Sequence, residues 1–276
     1  MGGLRLGEIT TPLLDQFIGT VVRQVRPPTA RTCRTCVSGA LGLAVRYGAL
    51  TANPVREVDR IEGRSKREPR ALTAAERAEW MARLLADEVA VRKDVPDLCQ
   101  FLLAASARIG EALAVIWSDV DFGNSTVSIT STIIRVKGVG LIRKDTKSNA
   151  GQRVLVLPSW AMTMLQRRFT EDPPLDEPVF PDALGGFRDP NNTRRDLRNA
   201  RGSDGFAWVT SHHFRKTAAT ILDDAGLSSR VIADQLGHSR PSLTQDVYMG
   251  RKQASELPAA ALERAWDSRV EGVKHG

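Results

Sequence analysis

A chain of 276 residues can hold one or two domains with a real core, and its 42% apolar and 26% charged residues exclude an intrinsically disordered or fibrous protein. Lysine and arginine outnumber aspartate and glutamate by 39 to 32, a formal charge of +7, so a polyanion is the first partner to consider. MGGLRLGEITTPLLDQF lacks the charged region and unbroken apolar run of a signal peptide, and no later apolar stretch reaches bilayer length, which disfavours secretion and membrane insertion.

Short helices are predicted from Thr11 to about Val58. TPLLDQFIGTVVRQV supplies the first, and PTARTCRTCVSGALGLAVRYGAL the second, where Val37, Leu41, Ala44 and Val45 recur at helical spacing. Cys33 and Cys36 have the spacing of metal ligands, but no second pair accompanies them, and a structural zinc site takes four. With Cys99 they read as small apolar helix residues in a reducing cytosol. Asn53-Pro54 ends the helical pattern, and the densely charged DRIEGRSKREPR that follows reads as a linker. Thr73 and Glu76, three apart ahead of WMARLLAD, form a capping-box pattern that opens a second domain.

The second segment mixes classes. DLCQFLLAASA and RIGEALAVIW read as helical, while TVSITSTIIRV and QRVLVLP alternate and carry β-branched residues, as strands do. KGVGLIRKDTKSNAG, between them, suits a basic hairpin turn. Helices return in HHFRKTAATILDDAG, closed by Gly226, and in SSRVIADQLG, capped by Ser228 and closed by Gly237. ASELPAAALERAW is a further helix candidate, interrupted early by Pro258. The fold class is therefore mostly α with a small β-sheet (α+β).

The chain has only two tyrosines, and Tyr248 lies ten positions after His238 in LGHSRPSLTQDVY. His212 and Arg215 stand three apart, on one face of a helix. Read in order, RIGEALAVIW, DTKSNAGQRVLVLP, HHFRKTAAT and the LGHS-to-tyrosine segment give a chain that resembles the tyrosine recombinases, or phage-type integrases, over nearly its whole length. The first predicted helix begins near the amino terminus, so the resemblance is either to a compact form lacking the arm-type DNA-binding domain or to a fragment of a longer chain.

What this resemblance implies is specific. Arg108, Lys147, His212, Arg215, His238 and Tyr248 correspond to the family's catalytic positions, with Glu111 as the orienting acid. Lys137 and Lys144 share the predicted hairpin, and the TKS context selects Lys147. The family's usual glycine two residues before the first arginine is Ser106 here, and its usual serine is Gly110. The residue types suit phosphoryl transfer on DNA without metal or cofactor: paired guanidinium groups stabilise the non-bridging oxygens, and no carboxylate cluster with metal-ligand spacing lies near the motifs. A phenol of pKa about 10 must lose its proton as it attacks, and His212 is the acceptor that the resemblance suggests.

By the same resemblance, residues 1–60 form a short helical core-binding domain, 61–70 the linker and 71–250 the catalytic domain. Residues 251–276 form a tail that docks on a neighbouring protomer, with packing in cis as the alternative. Arg31, Arg34, Arg64, Lys66, Arg67 and Arg70 are the expected phosphate contacts, against plain surface charge. The expected function is site-specific recombination through a 3′-phosphotyrosine link, as in a phage or prophage integrase that integrates viral DNA. The alternatives are type IB topoisomerase-like nicking and resealing, or a noncatalytic basic DNA-binding regulator. Implied partners are double-stranded attachment sites, a homo-tetramer assembled on DNA from a monomer, and an accessory directionality factor. The implied place is the nucleoid in the cytoplasm of a bacterial host.

Overall fold

Proline opens both helices of the amino-terminal part: Pro12 lies in the first turn of α1 (Thr11–Gln24), and Pro27 is the first residue of α2 (Pro27–Arg46). A missing N–H costs nothing there. The computed structural model describes residues 3–61, 70–146, 152–169, 173–202, 204–237 and 257–267. The chain divides into two compact units, Met1–Glu68 and Pro69–Gly276.

In the first unit, Leu14 and Ile18 of α1 and Ala30 and Leu41 of α2 close on Val55 and Val58 into a small core. Asn53 organises the return of the chain: its Oδ1 accepts from the Val55 N–H at 3.1 Å, and its Nδ2 donates to the Ser38 carbonyl at 2.9 Å. Arg34 clasps the same return. Its guanidinium donates to the carbonyls of Asp59 at 3.2 Å, Val58 at 2.9 Å and Val55 at 3.4 Å. The half-exposed guanidinium expected to meet phosphate thus also holds the return of the chain together. Arg31 stays exposed, with a 3.5 Å contact to the Ile61 carbonyl.

The second unit starts where the capping-box pattern places it. Thr73 Oγ1 accepts from the Glu76 N–H at 3.3 Å, and Glu76 Oε2 accepts from the Thr73 N–H at 2.8 Å, opening α3 (Ala74–Ala86). After the short α4 (Glu88–Arg92), α5 (Val95–Ala104) is buried on nearly every side. A helix apolar all round belongs in a core, and α5 forms its centre here. Leu98, Phe101 and Leu102 pack there with Trp80, Leu113, Val127, Leu165, Phe180 and Phe214. Each such side chain contributes about 1.5–3 kcal/mol. RIGEALAVIW shortens to α6 (Ile109–Ala112), followed by a turn.

The β region departs from the expected pair of strands. TVSITSTIIRV divides at Thr130 into β2 (Thr126–Ile129) and β3 (Ser131–Val136), which serve different sheets. Sheet one has the order β1-β2-β5, all antiparallel, with β1 (Val120–Asp121) and β5 (Arg153–Val156). In sheet two, β3 pairs with β4 (Gly140–Asp145) in a tight hairpin, with Ile133 opposite Arg143. Within the stretch read as a turn, Gly140–Asp145 is therefore itself a strand. The reversal is confined to Lys137, Gly138 and Val139, where Gly138 takes φ +81° and the Val139 N–H bonds to the Val136 carbonyl at 3.2 Å.

Helices α7 (Ser159–Arg168), α8 (Pro190–Ala200), α9 (Ser211–Asp224) and α10 (Ser229–Leu236) follow. Gly226 (φ +77°) follows the end of α9 and Gly237 (φ +63°) ends α10, both in the left-handed conformation glycine favours. The last described helix, α11 (Leu257–Asp267), carries Pro258 in its first turn and is not interrupted by it. Ala261 and Leu262 of α11 pack on Ala218 and Leu222 of α9, and on Ile232 and Leu236 of α10. Trp266 stacks on Trp160 with centroids 4.4 Å apart, and Glu263 accepts from the Ser159 N–H at 2.5 Å at the start of α7. In the single chain, therefore, α11 docks in cis. Among the described residues no helix is long and apolar enough to cross a membrane.

Candidate active site

The end of α5 sets the first part of the site. After Ala105 the chain turns through Ser106, which is fully buried at φ +50°, and reaches Arg108 at the start of α6. The left-handed conformation at Ser106 explains why glycine suits this position, and the Ser106 Oγ is buried without a hydrogen-bond partner among the described residues. Ser106→Gly is expected to stabilise the fold by about 1 kcal/mol, because relief of left-handed strain and of a buried hydroxyl outweighs the entropy glycine adds to the unfolded chain. Denaturant melts check this, and an unchanged or lower midpoint would contradict it. Gly110 has its own steric reason: a Cβ there would meet Thr132 Oγ1 at 2.6 Å and the Ile133 carbonyl oxygen at 3.2 Å. Helix α6 lies so close to β3 that serine there would make the Thr132 side chain and the Ile133 carbonyl shift.

Glu111 is buried and binds Arg108 twice, accepting from Nη1 at 2.6 Å and from the Arg108 N–H at 3.1 Å. Its second oxygen also takes Nη2 of Arg153 at 3.0 Å. Burial acts to raise the Glu111 pKa, but Arg153 and Arg108 together hold it below the usual carboxylate range. Arg153 was missed by the sequence reading. The available signal was an arginine two residues before Leu155, hence on the core-facing side of a strand.

Arg215 enters from the first turns of α9. It is only 3% exposed, and its Nη1 donates to the Ser106 carbonyl at 2.7 Å. Its Nη2 is buried with no partner among the described residues. Burial first, then repulsion from Arg108 and Arg153, lowers the Arg215 pKa to about 10, so the group stays charged at neutral pH but at a cost.

His212 lies on the exposed side of the same helix turn. Partial burial and the positive charges of Arg215 and Arg108 lower its pKa, which keeps the ring neutral and able to accept a proton. His213 does something else: its Nδ1 accepts from the Thr210 N–H at 3.0 Å, capping α9, and its ring meets Trp208 edge-on at 5.0 Å. The two neighbouring histidines are thus separated into one facing the arginines and one building the helix start.

Of the remaining sequence-predicted residues, Lys137 and Lys144 are exposed on the hairpin. Arg70 pairs with Glu76 at 2.8 Å and lies over the Trp208 ring at 4.0 Å, so its charge is partly engaged. Lys147, His238, Tyr248, Arg64, Lys66 and Arg67 lie outside the described residues. The structure therefore brings together Arg108, Glu111, His212 and Arg215, and adds Arg153.

Residues 70–254 match the model of the Phage integrase family. An integrase of a Staphylococcus phage is 30% identical over 153 residues, which cover 51% of this chain and 43% of that protein. The chain thus spans less than half the length of that relative. Among solved structures, the Tn1549 transposon integrase in complex with transposon right end DNA superposes with a TM-score of 0.74 at 17% identity, covering 97% of this chain and 87% of that one. A lambda integrase tetramer bound to a Holliday junction gives a TM-score of 0.59 at 17% identity, covering 87% and 67%. Both likenesses are of fold.

Proposed function

The chain belongs to the phage integrase family, and on that premise we propose that it is a site-specific tyrosine recombinase that cleaves and rejoins double-stranded DNA. One observation carries the reading: two guanidinium groups, Arg108 and Arg215, converge beside a neutral histidine, and one of them keeps a buried N–H unpartnered among the described residues. Those groups suit a scissile phosphate, whose non-bridging oxygens gain charge as phosphorus is attacked.

In this reaction the Tyr248 hydroxyl attacks phosphorus and passes its proton to His212. A P–O bond forms to the tyrosine while the bond to the 5′ oxygen breaks, and Lys147 protonates the departing oxygen. His238 donates a hydrogen bond to the phosphate, and Glu111 orients Arg108. The 3′-phosphotyrosine stores the energy of the cleaved bond, so attack by a 5′ hydroxyl from another strand exchanges strands without ATP.

Residues 1–60 act as the core-binding domain, 61–70 as linker and 71–250 as the catalytic domain, with Arg31, Arg34, Arg64, Lys66, Arg67 and Arg70 as phosphate contacts. The partners are duplex attachment sites and further copies of this chain, assembled as a tetramer whose tails 251–276 leave the cis seat for a neighbour. The lambda integrase tetramer supports that assembly by likeness of fold. The biological role is integration of phage or prophage DNA in the bacterial cytoplasm, with a directionality factor as accessory.

The test is a plasmid carrying two candidate attachment sites. Recombinant junctions found by sequencing support the reading. Relaxation of a one-site supercoiled plasmid without junctions favours the topoisomerase-like alternative, and binding with neither product leaves a DNA-binding regulator.

A further inference from the structure

Buried arginines that pair with an already paired carboxylate need a reason, because desolvating a second cation costs several kcal/mol. Arg153 is one: its side chain is 7% exposed, against 4% for Glu111, and Glu111 already has Arg108 as counter-ion. The second cation is spent on geometry. Nη2 of Arg153 holds Glu111 Oε2 at 3.0 Å, while Nε donates to the Gln235 carbonyl, near the end of α10, at 3.0 Å. Gln235 is itself anchored, its Nε2 donating to the Ala104 carbonyl at the end of α5 at 3.4 Å. Glu111 then uses its other oxygen on Arg108 Nη1 at 2.6 Å.

We propose that Arg153 is a positioning residue for strand cleavage: it locks the Glu111 carboxylate between β5 and α10, and so fixes where the half-exposed Arg108 guanidinium meets the scissile phosphate. Without Arg153, Glu111 still neutralises Arg108, but its Oε2 keeps only the Arg108 N–H at 3.1 Å, which belongs to the residue being positioned, and the Arg108 side chain is itself 49% exposed. The planar fork matters because one side chain must reach a carboxylate and a carbonyl in different directions. Lysine, a point charge on a flexible stem, satisfies one or the other.

This rests on the recombinase reading, and the experiment separates the two. Single-turnover cleavage is measured on a nicked attachment-site duplex, once with an ordinary scissile phosphodiester and once with a neutral methylphosphonate there. Arg153→Lys is expected to lower the rate on the phosphodiester about thirtyfold with KM within about threefold, as misplaced support for a reacting group does. On the methylphosphonate, which has no negative oxygen for Arg108 to hold, the defect should shrink to about threefold or less. An equal defect on both substrates would mean a structural role only, and an unchanged rate on the phosphodiester would also overturn the proposal. If Arg153→Lys does not fold, Arg153→Met combined with Glu111→Gln removes both buried charges together and is read by the same criterion. Failure of the unsubstituted protein to cleave either substrate would instead sink the recombinase reading.

Discussion

Tyr248→Phe is expected to abolish the covalent protein–DNA adduct and to lower strand cleavage at least about 10⁴-fold, while DNA affinity stays within about fivefold. The separation follows from what the hydroxyl does. As the proposed nucleophile it forms the bond that defines the reaction, and phenylalanine carries no group to replace it. As a binding group it contributes at most one hydrogen bond, about 1 kcal/mol, among many phosphate contacts. Denaturing gels of the protein trapped on nicked duplex read the adduct, and filter or gel-shift binding reads affinity. The chain has one other tyrosine, Tyr47, which is 81% exposed at the end of α2 in the first unit. An adduct that survives in Tyr248→Phe would therefore direct attention there, and would reject Tyr248 as the nucleophile.

Arg215→Gln should cost about 10³-fold in cleavage without lowering the melting midpoint of the free protein. Loss of one preorganised donor to developing charge has that scale in other phosphoryl and acyl transfers. The stability half of the expectation comes from the site's electrostatics. Arg215 is almost fully buried, its Nη2 has no partner among the described residues, and Arg108 and Arg153 repel it, which together bring its pKa down to about 10. A buried basic group with a lowered pKa weakens the folded state throughout the pH range where it is charged, including neutral pH. Glutamine removes that burden, against the loss of the one 2.7 Å bond from Arg215 Nη1 to the Ser106 carbonyl. A midpoint several degrees lower would show that Arg215 is held by contacts that outweigh its repulsion. Unchanged cleavage would remove it from the reaction.

These two expectations differ in how they could have been reached. Tyr248→Phe needs only the order of motifs in the chain. The Arg215 result needs the tertiary structure, because a surface arginine and a buried, repelled one look the same in HHFRKTAAT.

Local order was written in short-range chemistry. The capping box of Thr73 and Glu76, the left-handed glycines Gly226 and Gly237, and the shared face of His212 and Arg215 all act within three or four residues, so spacing alone predicts them. The order of reactive residue types was legible for the same reason, since each motif is a contiguous string. The hairpin was only half legible: a strand as basic as GLIRKD hides its pairing until Arg143 is seen donating to the Ala114 carbonyl at 2.8 Å and to Asp119 at 2.8 Å. Arg34, Ser106, His213 and Arg153 took their roles from folding. Arg153 meets a carboxylate 42 residues before it and a carbonyl 82 residues after it, and Arg215 meets a carbonyl 109 residues before it. Whether a charge is buried, paired or aimed at a substrate is decided by such distant partners, and no periodicity in the chain encodes them.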